Sequence, residues 1–416
     1  MTRKTFSGFY KLPVEKRLEK LKEFANLSDD EVQVLQKQGG LKLETANRMI
    51  ENVAGTFPLP LGLAVNFKIN GKEKIIPMAI EEPSVVAAAS NSAKLALPGG
   101  FQAEANEPVM IGQIQLVGVK DTQTASNKIL EKKDELIQQA NAHDAPLVKH
   151  GGGVRDIDTK TLETPRGKML IVLIFVDTRD AMGANAVNTF AEKIAPTLEE
   201  LSEGKIRLRI LSNLATKRMA RAKAVWKKEV IGEDVVEGIL DAYEFAKADQ
   251  HRATTNNKGV MNGIDALVVA TGNDWRAIEA GAHSYAAITG KYLPLAKYSK
   301  NENNDLIGEI ELPMALGLVG GATKTHPVAK ISVKILNVKT AKELSEIAAA
   351  VGLAQNFAAL RALASEGIQR GHLQLHAKNY AVMAGATGEL IDKVASQMEK
   401  EGKVSLDGAA EILKRN

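Results

Sequence analysis

Apolar residues recur along the chain at spacings that predict both helices and strands. Pro13–Phe24 carries apolar residues at helical spacing among lysines and glutamates. Ala64–Lys72 has the pattern of a strand that enters a turn at Asn70-Gly71. Ser84–Leu97 is an alanine-rich helical segment, which Gly99-Gly100 ends. The first hundred residues are therefore predicted to combine helices with part of a sheet.

The segment from Pro108 to Asn213 has a self-contained order of elements. Val109–Val119 alternates like a strand, a polar helical segment follows, and two further strands flank the turn at Pro165-Arg166-Gly167. An amphipathic helix, Ala184–Ser202, and an alternating strand, Lys205–Leu211, complete the segment. The resulting β-α-β-β-α-β order is typical of a ferredoxin-like domain.

The remainder is predicted to complete a larger domain and to end in a small helical one. The Thr/Asn-rich segment His251–Lys258 predicts a loop, Ala266–Ala270 predicts a buried strand, and Asp274–Ala287 predicts a helix. The glycines of Gly385-Ala-Thr-Gly388 are typical of a hinge before a charged helical pair. We therefore expect the α+β class, with three domains: a large mixed α/β domain, residues 1–107 and 214–370; an inserted ferredoxin-like (βαββαβ) domain, residues 108–213; and a C-terminal helical flap, residues 371–416.

The composition narrows the class of protein and the chemistry available to it. Of 416 residues, 44% are hydrophobic and 25% are charged, the net charge is +4, and none is cysteine. Scattered basic residues argue against a nucleic-acid surface. Without cysteine the chain has no disulfide, no cysteine-ligated zinc and no cysteine nucleophile. The N-terminus has no apolar signal region, and the longest apolar run, Met169–Val176, is too short to cross a bilayer. We expect a cytoplasmic protein outside the membrane.

Several common nucleotide and metal motifs are missing. The sequence contains no G-x-G-x-x-G after a strand, no phosphate-binding P-loop and no G-x-S-x-G elbow. His372 and His376 have the spacing of a helical zinc pair but lack the glutamate of H-E-x-x-H. We therefore expect no metal, and we expect any dinucleotide to bind without a Rossmann fingerprint.

Four polar residues interrupt apolar surroundings and are candidates for chemistry. Glu82 precedes an alanine-rich helix, where it is either a helix cap or a half-buried proton donor. Lys258 is either a solvated lysine or the group that stabilises an oxyanion. Asp274 follows an apolar run as a helix cap or a ligand-site carboxylate, and His372 is a structural histidine or a proton donor near neutral pH. The residue types alone leave each alternative open.

Six short motifs occur in an order that resembles one family. They are Glu51-Asn-Val-Ala-Gly-Thr-Phe-Pro-Leu-Pro, Glu81-Glu-Pro-Ser, Asp180-Ala-Met-Gly-Ala-Asn, Asn257-Lys-Gly-Val-Met-Asn-Gly, Gly272-Asn-Asp and Gly320-Gly-Ala-Thr-Lys-Thr-His-Pro. Together they resemble the class II (bacterial) 3-hydroxy-3-methylglutaryl-coenzyme A reductases. The resemblance covers nearly the whole chain. It implies a four-electron interconversion of hydroxymethylglutaryl-coenzyme A with mevalonate and coenzyme A, which uses two NAD(P)(H) and proceeds through bound mevaldehyde.

The resemblance also implies roles for individual residues. The implied catalytic set is Glu82, Lys258, Asp274 and His372. The implied substrate-binding set is Ser84, Arg252 and Asn262 for the hydroxymethylglutaryl part, with Gln355 for coenzyme A. Where the family has an arginine for a coenzyme A phosphate, this sequence has Lys11, a point charge in place of a planar fork.

The cofactor is expected to bind to the inserted domain. The family's cofactor residues correspond to Asp180, Met182, Gly183, Asn185 and Asn213, at a helix start whose N–H groups suit a pyrophosphate. Asp144 is either a solvated loop acid or a carboxylate that accepts the ribose 2′-OH and repels a 2′-phosphate, so we expect NAD rather than NADP.

The family's active site lies between subunits, which implies a homodimer and leaves higher assemblies of dimers open. Partners other than small molecules are not expected: neither nucleic acid nor membrane. Two other functions are alternatives to this one. The first is another acyl-coenzyme A or aldehyde oxidoreductase on the same scaffold, and the basic and polar set for a free carboxylate disfavours it. The second is an RNA-binding role for the inserted domain, whose strands offer almost no aromatic residue but Phe175.

Overall fold

The structure is a computed structural model that describes residues 6, 8–37, 40–142, 145–365 and 377–415. The strands are β1 Leu61–Ile69, β2 Lys72–Ala79, β3 Phe101–Ala105, β4 Val109–Val117, β5 Gly153–Thr164, β6 Gly167–Asp177, β7 Lys205–Ser212, β8 Met219–Trp226, β9 Ala296–Lys300 and β10 Leu306–Pro313. The helices are α1 Val14–Ala25, α2 Asp29–Gln36, α3 Leu43–Met49, α4 Val85–Leu95, α5 Thr122–Glu131, α6 Lys133–Asn141, α7 Ala145–Lys149, α8 Ala184–Ser202, α9 Lys228–Ile231, α10 Glu233–Ala248, α11 Gln250–Ala270, α12 Trp275–Ala286, α13 Gly321–Thr325, α14 Pro327–Leu336, α15 Ala341–Ala364, α16 (377–383), α17 Glu389–Glu401 and α18 Leu406–Arg415.

The large sheet has six strands in the order β2-β1-β3-β8-β10-β9. All of its neighbours are antiparallel except β1 and β3, which are parallel. The Asn70-Gly71 turn joins β1 to β2, as the sequence predicted. Helices α4, α11 and α15 pack against this sheet or against one another, and the rings of Trp226 and Phe357 stack 3.9 Å apart between β8 and α15. This core fixes α11 and α15, which carry most of the predicted substrate residues.

The second sheet, in the order β5-β6-β4-β7, is formed within the predicted insertion and is antiparallel throughout. Helices α5, α6 and α8 pack together over it, and alternate residues of β4 are buried. The β-α-β-β-α-β order predicted from the sequence agrees with this arrangement, with the first helix divided into α5 and α6. The chain enters the insertion after β3 and leaves it before β8. The residues just before α8, where the cofactor is predicted to bind, therefore lie close to both connections between the insertion and the rest of the chain.

Residues 250–270 form a single helix, so the predicted loop at His251–Lys258 and the predicted strand at Ala266–Ala270 are both wrong. Asp249 caps the helix by accepting a hydrogen bond from the Arg252 N–H at 2.7 Å. The apolar run is the buried C-terminal half of α11, and a short apolar run does not distinguish a buried helix from a strand. Lys258 consequently lies on a rigid element.

Helix α15 is the described helix that is long and apolar enough to cross a bilayer, and 67% of its most apolar window is buried. It packs against α4, α10, α11 and the large sheet. Beyond it, α16, α17 and α18 form a small core of their own around Val394, Met398 and Ile412. Gly385 and Gly388, the glycines of the predicted hinge, both have positive φ between α16 and α17.

Candidate active site

Glu82 and Lys258 form the centre of the predicted substrate side. Glu82 lies in the turn between β2 and α4, and Lys258 lies near the middle of α11. The Nζ of Lys258 donates to Oε2 of Glu82 at 3.0 Å, and the two side chains are 59% and 34% exposed. An ion pair this open to solvent contributes little to stability, so its geometry is better explained by function.

Three of the predicted substrate residues have buried polar atoms that find no partner among the described residues. They are Oγ of Ser84, Nε of Arg252 and Oε1 of Gln355. Burial also lowers the pKa of the Arg252 guanidinium. A buried polar atom without a hydrogen bond is costly and uncommon, so each of the three is a position where a ligand could supply the partner.

The close packing of α11 on α15 explains how Gln355 reaches this side. A Cβ at Gly263 would lie 2.8 Å from Cβ of Gln355, and a Cβ at Gly259 would lie 3.7 Å from Nδ2 of Asn356. Gly263 therefore allows the helices to approach closely, whereas a Cβ at Gly259 would make an ordinary contact. Gln355 lies at the level of Gly263, next to the predicted substrate residue Asn262.

A buried amide network holds the turn of α11 that carries Lys258, and the sequence analysis missed it. Nδ2 of Asn356 donates to the backbone oxygen of Asn256 at 3.0 Å, and Oδ1 of Asn356 accepts from the Tyr298 hydroxyl at 2.9 Å. Asn257 spans to Leu293 and Leu295 through two bonds of 2.9 Å. No local pattern signals this network, because its bonds join residues 36 to 100 positions apart and asparagines by themselves favour a loop.

The predicted cofactor side is the start of α8. Gly183 is the N-cap residue, with φ 102°, and no side chain caps the helix. A Cβ at Gly183 would lie 2.3 Å from Cγ2 of Thr178, so only glycine fits there. The N–H groups of the first turn, at Ala184 and Asn185, are therefore left for an anionic group. Asn213 follows β7, and its carbonyl oxygen would lie 2.6 Å from a Cβ on Gly281, so it lies against α12.

Asp180 joins the insertion to the large domain. Its Oδ1 accepts from the Ala341 N–H at 2.8 Å, at the N-terminus of α15, and its carbonyl oxygen accepts from the Leu318 N–H at 2.8 Å. The negative carboxylate also suits the positive end of that helix. The described contacts of Asp180 therefore connect the insertion to the large domain. The resemblance implies a cofactor role in addition.

Asp274 does not join the Glu82–Lys258 pair within one chain. It is the N-cap of α12, where it accepts from the Ala277 N–H at 3.2 Å and pairs with Arg276 at 3.0 Å. Its neighbour Asn273 accepts from the Gly317 N–H at 2.8 Å, and a Cβ on Gly317 would lie 2.4 Å from the Met182 nitrogen. Asp274 therefore lies beside the cofactor side of its own chain.

For three other predicted site residues, the structure shows no contact with the substrate residues around Lys258 or with the cofactor residues at the start of α8 in the described part of the chain. His372 and Asp144 lie outside the described residues. Lys11 is exposed in a short 3₁₀ turn, with its Nζ 5.7 Å from the ring centre of Tyr10. In the described part of the chain Lys11 contacts this ring and no predicted substrate residue.

The family assignment follows from comparison with known proteins. The model of the family described as hydroxymethylglutaryl-coenzyme A reductase matches residues 13–377. The chain belongs to this family.

Relatives of the same name cover almost the whole chain. A 3-hydroxy-3-methylglutaryl-coenzyme A reductase of Archaeoglobus fulgidus is 60% identical over 410 residues, which cover 98% of this chain and 94% of the relative. A probable reductase of Borreliella burgdorferi is 36% identical over 381 residues, which cover 88% and 86% of the two chains. The chain is thus a reductase-family oxidoreductase, and the resemblance drawn from the motifs is confirmed.

Solved structures agree on the fold. A 3-hydroxy-3-methylglutaryl-coenzyme A reductase from Streptococcus pneumoniae superposes with a TM-score of 0.85 at 41% identity, covering 99% of each chain. A class II reductase from the same organism, bound to NADPH in open conformations, gives 0.84 at 43% identity and covers 86% of this chain and 100% of that one. The α+β prediction is therefore confirmed.

In this reductase chain, one further group of ionisable residues lies between α11 and α12. Oε2 of Glu279 lies 2.5 Å from Nε2 of His283, whose Nδ1 lies 2.6 Å from the Tyr292 hydroxyl. Burial, with Glu279 beside it, raises the pKa of Asp265 to about 9. No three histidine, aspartate or glutamate side chains are arranged to hold a metal ion within the described ranges.

Proposed function

We propose that the chain interconverts hydroxymethylglutaryl-coenzyme A with mevalonate and coenzyme A, at a site centred on Lys258 and Glu82. The observation that carries this proposal is the 3.0 Å contact between these side chains, with the unsatisfied hydroxyl oxygen of Ser84 two residues after Glu82. An ammonium and a carboxyl group beside unsatisfied donors and acceptors suit a carbonyl substrate that carries a free carboxylate.

Lys258, His372 and Glu82 of the predicted catalytic set, together with Arg252, have distinct chemical tasks. Lys258 stabilises the alkoxide that forms on the thioester oxygen and later on the aldehyde oxygen. His372 protonates the coenzyme A thiolate when the hemithioacetal collapses, and Glu82 gives the proton that completes the alcohol. Arg252 holds the substrate carboxylate. Two reduced nicotinamides, bound one after the other, would each supply one hydride.

The cofactor residues proposed for the insertion fit a dinucleotide. The uncapped start of α8 offers N–H groups to a pyrophosphate, and Gly183 leaves the backbone accessible there. A carboxylate at Asp144 favours NAD over NADP. The structure from Streptococcus pneumoniae that carries NADPH argues for the phosphorylated cofactor in that protein, so the preference here rests on Asp144 alone.

A homodimer with composite sites is the second part of the proposal. Lys258 and Ala270 are twelve positions apart on α11, a helical rise of about 18 Å. Asp274 lies beyond the C-terminal end of this helix. One chain therefore carries a substrate half-site around Lys258 and a cofactor half-site around Asp274. A two-fold dimer would complete both sites by placing the cofactor half of one copy against the substrate half of the other.

Exposed apolar residues before β1 support association of two copies. Phe57 is 90% exposed, Ile50 65% and Leu43 58%. Leu43 lies in α3, Ile50 follows that helix, and Phe57 lies in residues 51–60, which have no regular secondary structure. Exposed large apolar side chains grouped in one part of the chain are typical of a surface that a partner covers. We also propose a cytoplasmic location, which a cysteine-free chain tolerates.

The proposed activity is tested by absorbance at the reduced-nicotinamide band, with mevalonate, coenzyme A and each oxidised cofactor in turn. We expect reduction of both cofactors to be measurable and a higher kcat/KM for NAD. His372→Gln should impair thioester reduction but largely spare reduction of added mevaldehyde. Turnover of other acyl-coenzyme A thioesters without turnover of mevalonate would support the alternative oxidoreductase.

A further inference from the structure

Arg218 is a buried arginine at the point where the chain leaves the insertion and enters β8. Its residue is 3% exposed, and its backbone oxygen accepts from the Met314 N–H at 2.9 Å. Arg218 lies in none of the six motifs and has no role in the proposed mechanism. A fully buried guanidinium is costly unless its donors are satisfied, which requires a structural or functional reason for its presence.

The guanidinium binds the loop that leads into α8. Nη1 donates to Oγ1 of Thr178 at 2.8 Å, to the carbonyl oxygen of Ala181 at 3.0 Å and to that of Met182 at 3.1 Å. Nη2 donates to the carbonyl oxygen of Leu316. Arg218 therefore links three residues of the 178–182 loop to the segment after β10, and all of these acceptors are neutral.

No carboxylate forms an ion pair with Arg218 among the described residues, although Asp177 and Asp180 lie near enough to favour its charge. Burial lowers the pKa of Arg218 to about 10, so the side chain is still protonated at neutral pH. The charged guanidinium therefore orients peptide groups and does not form an ion pair with a described carboxylate.

The planarity of the peptide bond makes this contact consequential for the cofactor side. In a trans peptide the carbonyl oxygen and the following N–H point in opposite directions. Because the Met182 carbonyl points at Arg218, the Gly183 N–H points away from it. That N–H is next to the uncapped first turn of α8, at Ala184 and Asn185.

We propose that Arg218 is a positioning residue for the nicotinamide cofactor, because it fixes the peptide groups of residues 181–183 and so orients the N–H donors at the start of α8. This inference rests on the proposed function, in which the cofactor binds there. A lysine would keep the charge but present one nitrogen, so it could not span the Met182 and Leu316 oxygens together.

The test compares Arg218→Lys with Arg221→Lys, a matched control three residues further along the same segment. Arg221 pairs with Asn106 and Glu311, and none of its described contacts is with the 178–182 loop. In the assembled enzyme we expect R218K to raise the KM for the nicotinamide cofactor by about 10- to 100-fold, while the KM values for mevalonate and coenzyme A change less than about twofold. R221K should leave all three KM values unchanged.

A purely structural role would lower the amount of active enzyme, so kcat would fall while every KM stayed constant, and this result would overturn the proposal. If R218K does not fold, Thr178→Val removes one acceptor of the same contact at nearly constant volume and should raise the cofactor KM by a smaller factor. A cofactor KM unchanged in T178V would then also count against it.

Asn185→Ala separates this inference from the proposed function. If N185A raises the cofactor KM but R218K does not, Arg218 has no positioning role, while the cofactor site stands. If neither variant changes the cofactor KM, the assignment of the cofactor to α8 fails, and the role of Arg218 fails with it.

Discussion

The Nζ of Lys258 lies 3.0 Å from Oε2 of Glu82, although 176 positions separate the two residues in the chain. The contact joins the middle of α11 to the turn after β2, and hydrogen bonds of the buried residues Asn256 and Asn257 hold the helix just before Lys258. The ammonium is therefore presented by a rigid element, which suits electrostatic stabilisation because little reorganisation is needed when charge develops on the substrate.

Replacing this ammonium should disable both reductive steps. We expect Lys258→Met to lower kcat by about 10²- to 10³-fold with thioester and with added mevaldehyde, because each step forms an alkoxide. Steady-state rates with both substrates measure the effect. Lys247→Met, on α10 and paired with Glu244, is a matched control and should retain full activity. A variant K258M that loses only one of the two steps would contradict a shared oxyanion role.

Gly183 should be intolerant of any side chain for two separable reasons. Gly183→Ala places a methyl group 2.3 Å from Cγ2 of Thr178 at a residue with φ 102°. Gly167→Ala is the matched control, since Gly167 has φ 97° and no atom within 4 Å of its virtual Cβ. We expect G167A to cost about 1 kcal/mol in the free energy of unfolding, from backbone strain alone.

The clash should add to that cost at Gly183. We expect G183A to lose a further 1–3 kcal/mol, roughly the cost of overpacking a tight site, and to bind the cofactor more weakly. Urea unfolding measures the first effect and titration of reduced-nicotinamide fluorescence the second. Equal stability of the two variants would mean that Thr178 moves aside without cost.

The sequence allowed the element types to be predicted wherever the apolar period was clear. The alternation of Val109–Val119 and the helical spacing of Ala184–Ser202 correspond to β4 and α8, so the ferredoxin-like order was predictable. The segment 250–270 was not, because its polar first half has the composition of a loop. The asparagines that gave this impression are buried and bonded across 36 to 100 positions, and no local pattern contains that information.

The site was predictable only in part for a similar reason. Motifs supplied the residues, and the contact between Glu82 and Lys258 agrees with the set they implied. The position of Asp274 at the far end of α11 depends on the helix being continuous, which the sequence analysis missed. Arg218 belongs to no motif, since its importance comes from carbonyl groups that only the folded chain brings around it.

The carboxyl group of Asp265 should make stability depend on pH. Burial raises its pKa from 3.8 in the unfolded chain to about 9 in the folded one, with Glu279 next to it. Between these values the folded state retains a proton that the unfolded state loses, so Asp265 opposes folding increasingly as pH rises from about 4 to about 9. His283, whose pKa is raised by its bond to Glu279, contributes stability below about 6.5 that is lost as pH rises through its folded value.

Asp265→Asn removes the first contribution. We expect the variant to be more stable than the native chain by roughly 1–3 kcal/mol at pH 8 and by much less at pH 5, since an amide keeps a donor for Glu279 and has no proton to retain. Thermal unfolding at the two pH values measures the difference. Asp241→Asn, on the exposed side of α10, is the control and should change neither value. A gain that is the same at pH 5 and pH 8 would exclude titration of Asp265 as its cause.

The separation of Lys258 from Asp274 along α11 leads to the sharpest test of the composite site. Lys258→Ala and Asp274→Ala should each be inactive alone, because every site of either homodimer lacks one group. When the two variants are mixed, dissociated and reassembled, half of the dimers are heterodimers, and one of their two sites is intact. Activity should therefore return to about a quarter of the native value, by the two-fold symmetry of the dimer.

If Lys258 and Asp274 served the same site from one chain, the heterodimer would have one site lacking each group, and mixing would restore nothing. Mixing Lys258→Ala with Glu82→Ala is the control: both residues lie in the substrate half-site of one chain, so that mixture should stay inactive.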